Sequence, residues 1–132
     1  QAAAAGIRVN VVQAPTDGYW SEVWMHEDVS ATRWNERPAD QALHEIYLST
    51  ARWNESFYQD EAFDALLAAA RRELDFEARR ALYVQAQEHL QETAGTLIPY
   101  HVTRLVGVSS RVHNLDEVKN DAVRWHLITV DE

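Results

Sequence analysis

The 132-residue chain has no cysteine, only four glycines and many fewer cations than anions. Without cysteine there is no disulfide, no thiolate nucleophile and no Cys-based zinc site; the compartment stays open, because many exported proteins also lack cysteine. Four glycines leave no GxGxxG and no Walker sequence, so a phosphate-cradling loop has no support, and no GxSxG elbow is present. No apolar run reaches the roughly 18 residues that a membrane-spanning helix needs. Twelve Lys and Arg stand against 21 Asp and Glu, a formal net charge of -9. Such a field repels polyanions and argues against nucleic acid or anionic lipid as a partner.

What is present reads as one globular unit, with 46% hydrophobic and 25% charged residues. The opening "QAAAAGIRVNVV" has no initiator Met and reads as cut from a longer chain: alanines end a helix, Gly6 follows in a left-handed turn, and Ile7, Val9 and Val11 alternate as a half-buried strand. After turn residues 15–18, Tyr19, Trp20, Val23 and Trp24 fall at helical spacing, most simply as core packing. Residues 28–34 fit a second strand, and Pro38 suits the first turn of a helix from Ala39 to about Ser49, with Ala42, Leu43, Ile46 and Tyr47 on one side.

The middle of the chain is the most regular. Asp60 caps a helix whose Phe63, Leu66, Leu67, Ala70 and Leu74 share a face. Asp75 caps the next, with Leu82, Tyr83, Ala86 and Leu90 inward and Gly95 as the stop. The pattern predicts an amphipathic pair at about 60–74 and 75–94. "TLIPYHV", "RLVGV" and "AVRWHLITV" read as strands or extended segments and "SSRVHNLDEVKND" as loop, with no internal repeat.

Candidate chemistry is sparse. His44-Glu45 begins a zinc-helix pattern, but Leu48 occupies the position of the second histidine. Glu88, His89 and Glu92 share a helix surface, the usual arrangement of a solvated face. No carboxylate pair sits in a setting that raises one pKa, so no catalytic residue, metal ligand or cofactor is assigned. Three aromatic clusters remain: "GYWSEVW", "RWNERPAD" and "ARWNESFY". Tryptophan offers a broad rigid contact surface and arginine a planar fork, both suited to capture of a small solute. The plainer alternative makes Trp34 and Trp53 interior anchors and Arg37 a structural ion pair.

The ordered series Gly-Ile-x-Val, "DGYW", a segment ending in Trp34, "RPxxDQ", "WNES", "FDALLxxARxELDxxxRRALYxxxQxxL" and "GTLIPY" resembles the C-terminal region of the family 5 extracytoplasmic solute-binding proteins, the peptide- and nickel-type receptors of bacterial ABC importers. It spans Gly6 to about Val112. The resemblance implies an α/β fold: part of a periplasmic-binding-protein type II-like lobe, with a small mixed sheet flanked by helices. Residues 1–112 would belong to the second lobe, and 113–132 would cross back toward the first. It also implies a longer two-lobed protein, periplasmic or extracytoplasmic, that closes on a small solute or short peptide and docks on an ABC permease. Edges left bare in this chain would favour a homo-oligomer.

For the ligand, the resemblance makes Trp34 the first choice of wall, followed by Arg37, with Asn35, Glu36 and Trp53 beside them. Oligopeptide receptors of the family place an acidic residue just after this tryptophan to receive the peptide amino terminus. Arg37 stands nearest that register, where it would repel an ammonium and favour a carboxylate. Glu36 could restore peptide binding. The alternatives are a sensor or chaperone-like module on the same fold, or a small acidic hydrolase.

Overall fold

In the computed structural model, residues 2–103, 105–115 and 123–131 are described. The chain divides into two units, Gln1–Thr32 and Arg33–Glu132.

In the second unit, both expected aspartate caps form. The Asp60 carboxylate accepts the Phe63 N–H at 2.9 Å and starts helix α2, Glu61–Arg72. Asp75 accepts the Ala78 N–H at 2.9 Å and starts α3, Phe76–Thr93. Each satisfies a backbone donor that the first helical turn leaves open. Acidic Glu61 and Asp64 in the first turn of α2, with Arg71 and Arg72 in its last, also suit the helix dipole. Ahead of them, α1 spans Ala39–Ile46 directly after Pro38.

Leu43, Tyr58, Phe63, Leu67 and Ala86 form the buried centre, with Tyr47, Leu48, Leu66, Tyr83, Leu90 and Ala94 packed against it. Most of the predicted inward faces of the helix pair are the observed ones, with two corrections: Leu82 is half-buried but lies outside this cluster, and Leu74 faces solvent. Leu74 is 90% exposed, because α2 stops at Arg72 and the helical spacing no longer applies beyond it.

Two other ends differ for tertiary reasons. Helix α1 stops short of Ser49, whose N–H donates to Asp64 Oδ1 at 3.1 Å while its hydroxyl oxygen accepts the Asp60 N–H at 3.2 Å. Ser49 thus braces the start of α2 rather than extending α1. Gly95 follows α3 but is not left-handed; the chain leaves through Ala94 in an extended conformation. Thr93, in the last turn, donates its hydroxyl back to the His89 carbonyl at 2.8 Å.

The predicted mixed sheet does not form among the described residues. Strand β1, Val112–His113, pairs antiparallel with β2, Thr129–Val130, placing Val112 opposite Val130. β1 falls where a loop was expected, and a 3-10 turn at Trp125–Leu127 interrupts the expected last strand. Residues 116–122, from that loop and the start of the last strand, lie outside the described set, as do Gln1 and Arg104. The segments at 7–11, 28–34, 96–103 and 105–108 carry no ladder. Alternation specifies which side chains share a face, whereas a strand also needs a partner for its backbone. At this level the chain is a mixed α/β protein dominated by helix, with a two-stranded antiparallel sheet.

In the first unit, Gly6 takes the expected positive φ of 76° after a 3-10 turn at Ala2–Ala5. Gly18, at φ 89°, precedes a π-helical turn at Tyr19–Val23, closed by the Trp24 N–H on the Tyr19 carbonyl at 2.9 Å. Tyr19 and Trp20, and Trp20 and Trp24, meet edge to face with centroids 5.3 and 5.4 Å apart. The Tyr19 hydroxyl donates to the Ala31 carbonyl at 2.7 Å. Trp20 is 61% exposed, so the aromatics here are a surface cluster in which Tyr19, Val23 and Trp24 are half-buried, not a closed core. Among the described residues no helix is long and apolar enough to cross a membrane.

Candidate functional site

The tetrapeptide Arg-Trp-Asn-Glu occurs twice, at 33–36 and 52–55. The second copy is built around Asn54, the buried polar side chain of the unit. Its amide donates to the Tyr58 carbonyl at 2.6 Å, and its oxygen accepts the Tyr58 N–H at 3.0 Å and the Ser56 hydroxyl at 3.2 Å. These bonds hold a loop in which Phe57 has φ 51°, an uncommon conformation for a side chain of that size. Tyr58 then packs edge to face on Phe63 at 5.5 Å and its hydroxyl meets Thr93 Oγ1 at 2.7 Å, fastening the loop to α2 and α3. Burial is the main reason the Tyr58 pKa is raised.

The first copy folds onto that loop. Trp34 donates its indole N–H to Glu55 Oε1 at 2.9 Å, and the Trp34 and Trp53 rings lie 6.0 Å apart at 45°. Arg37 places its guanidinium carbon 4.9 Å from the centre of the Trp34 ring. Its Nε lies 3.0 Å from Glu45 Oε2, and its Nη1 donates to the Asn35 carbonyl at 3.3 Å. Glu45 Oε2 is buried with no well-directed hydrogen bond, so the Arg37 charge is its principal compensation. Gln41 donates to the other Glu45 oxygen at 2.9 Å.

Trp34, Arg37 and Trp53, named from the sequence, are therefore one half-buried cluster. Asn35 and Glu36 are exposed, with the Asn35 side chain accepting from Arg33 at 3.4 Å. The plainer reading of Arg37 as an ion-pair partner describes its Nε. Among the described residues its Nη2 has no partner, which leaves donor capacity beside the indole rings. Sequence reasoning missed Glu45, Asn54 and Glu55. The second copy of the tetrapeptide contains the latter two, but nothing local distinguishes its buried asparagine from the exposed Asn35.

Two further polar networks belong to the scaffold. Asp40 accepts two bonds from Arg71, at 2.9 and 3.0 Å, and one from the Tyr83 hydroxyl at 2.6 Å, joining α1, α2 and α3. The Arg71 bonds are the largest cause of the Asp40 pKa falling to about 2, while burial and then Asp40 push Tyr83 up to about 12. His89 leaves the expected Glu88/Glu92 grouping and meets Asp60 Oδ2 at 2.9 Å. The Phe63 N–H, followed by His89, lowers the Asp60 pKa. Among the described residues no group of three His, Asp or Glu side chains could hold a metal ion.

An open groove of about 290 Å³ lies on the flank of α3, lined by Phe76, Arg79, Tyr83 and Val84 among others, and includes none of the tryptophans. Comparison with protein-family models, with curated proteins and with solved structures found no match to this chain.

Proposed function

We propose that this chain is part of the ligand-binding lobe of a family 5 extracytoplasmic solute-binding protein, working outside the cytoplasm with an ABC permease. The finer fold reading, a type II periplasmic-binding lobe, belongs to the same proposal. The observation that carries it is the Trp34–Arg37–Trp53 cluster: rigid apolar surface and guanidinium donors held together on a loop fixed to a helical core. Such a surface suits a small solute with an apolar body and an anionic or carbonyl end. Capture, not turnover, is its role, and no cofactor takes part.

Glu45 lies on the Nε side of Arg37 and the Asn35 carbonyl takes Nη1, so the ligand would meet the remaining hydrogen of Nη2 at the outer end of the guanidinium. Asn35 and Glu36 would contribute at the rim, where Glu36 could receive a peptide ammonium. Native mass spectrometry of the purified protein, with tryptophan-fluorescence titration using defined di- and tripeptides, tests the reading. The expected result is a reversible fluorescence change that Trp53→Ala abolishes while helicity is retained. Conversion of the peptide into product would overturn capture in favour of hydrolysis, and an unchanged response in Trp53→Ala would remove the cluster from the site.

A further inference from the structure

The groove on the flank of α3 has a pattern of its own. Phe76, Arg80, Tyr83, Val84 and Gln87 recur at three- and four-residue spacing, so they form one stripe along the helix, and Ala39 of α1 lines the groove beside them. From Phe76 to Gln87 the stripe rises about 16 Å, three helical turns. Phe76 is 63% and Val84 43% exposed, although Tyr83 and Ala86 of the same helix turn into the core. Helix α3 thus carries a second apolar stripe that the core does not use.

The groove also has charge of one sign. In a chain of net charge -9, Arg79 and Arg80 line it and no carboxylate does. The acids bonded to its lining are already neutralised: Asp40, which accepts from Tyr83, pairs with Arg71, and Glu77 meets Arg80 at 3.4 Å. The Arg79 guanidinium carbon lies 5.8 Å from the centre of the Phe76 ring, and its Nη1 donates to the Glu73 carbonyl at 3.1 Å. Among the described residues its Nε and Nη2 have no hydrogen-bond partner. A fork held in this way beside apolar surface is suited to a carboxylate.

We propose that the groove receives an amphipathic helix of a partner protein, with apolar side chains on Phe76 and Val84 and a carboxylate on Arg79. Shape selects a helix. At about 290 Å³ and open along its length, the groove is at the lower limit for small-molecule sites, which enclose most of their ligand, whereas a helical face needs only a shallow trough with anchors a turn apart. Charge selects an acidic one. Carboxylates beside the anchors meet Arg79 and Arg80, while a second copy of this chain would set the same arginines against each other across a twofold axis. An anionic bilayer would have to overcome the net charge of -9. The surface is independent of the solute site, since no tryptophan lines it.

Two capped peptides of about 20 residues, long enough to hold a helix, serve as probes. Both carry leucines at three- and four-residue spacing, flanked by glutamates in one and by lysines in its twin. Fluorescence anisotropy of the labelled peptides and amide NMR spectra of the 132-residue chain read binding. The glutamate peptide should bind and shift the amides of α3 from Phe76 to Gln87. Its lysine twin should bind at least about tenfold more weakly, although the acidic body of the chain favours it. Arg79→Gln should weaken the glutamate peptide by about tenfold or more. Val84→Glu, at an exposed position, should do the same while circular dichroism shows the helices retained, and Trp53→Ala should change nothing. Binding of neither peptide, or equal binding of both, overturns the proposal. So does a glutamate peptide indifferent to Arg79→Gln and Val84→Glu, or one whose shifts centre on Trp34 and Trp53, which would be the solute site. Capture of the chain through Arg79 by phosphatidylglycerol vesicles, with no peptide binding, would overturn it in favour of a membrane surface.

Discussion

At Arg37 two demands meet: its Nε neutralises the buried Glu45 oxygen, and its plane covers Trp34. Arg37→Ala should therefore lower stability even without ligand. With the pair's side chains 23% and 32% exposed, the loss should be about 1 kcal/mol, smaller than for a fully buried pair. Urea unfolding of Arg37→Ala, Glu45→Gln and the double variant checks this; additive losses would show that the pair is not coupled. If the cluster is the solute site, Arg37→Ala should also cost roughly 1.5–3 kcal/mol in binding an anionic solute, as charged hydrogen bonds do. Trp34→Phe keeps an aromatic ring but removes the donor to Glu55. It should cost about 0.5–1.5 kcal/mol, read in the same unfolding experiment.

Among the elements, α2 and α3 supply most of the buried centre. Leu67 is wholly buried, so Leu67→Ala should destabilise by roughly 2–5 kcal/mol through lost burial and the cavity left behind. Leu74→Ala, at a position first expected on the same face, should stay within about 0.5 kcal/mol of wild type. Thermal unfolding of the two variants separates them, and equal losses would mean that α2 continues past Arg72 in solution. The caps differ in the same way. Asp75 caps alone, and its replacement by Ala should cost about 1 kcal/mol. Asp60→Ala should cost more, since its carboxylate also holds His89, while the Asp60 N–H keeps its bond to the Ser49 hydroxyl.

For the molecule as a whole, the Asp40–Arg71–Tyr83 network makes acid stability a test of helix docking. Asp40 has its pKa depressed to about 2. A carboxylate depressed in the folded state contributes fully above its unfolded pKa of about 3.9, and that contribution is lost as pH falls through the folded value. The window is therefore about pH 4 to 2. Its size should be below about 1 kcal/mol, because the Asp40 side chain is 42% exposed and solvent screens the pair. Urea unfolding across that range should show a shallower loss in Asp40→Asn than in wild type; identical slopes would assign the acid sensitivity to other carboxylates.

Local chemistry sufficed for the helix pair. Asp60, Asp75 and the recurrence of Phe63, Leu67 and Ala86 carry the information for starts and inward faces within a few turns of chain, because caps and helical spacing act over three or four residues. Gly6 likewise announced its left-handed turn, whereas Gly18 was legible only as part of a turn. The candidate cluster was legible as a set of residue types, but its wiring was not: Glu45 and Glu55 meet Arg37 and Trp34 from 8 and 21 positions away. Ser49 leaves α1 for bonds to residues 11 and 15 positions on. The strands show the same divide. Alternation at 7–11 and 96–108 records a preference for pleated backbone, but only a tertiary or intermolecular neighbour can satisfy the edge, and hydrogen bonds between distant segments leave no periodic trace in either one.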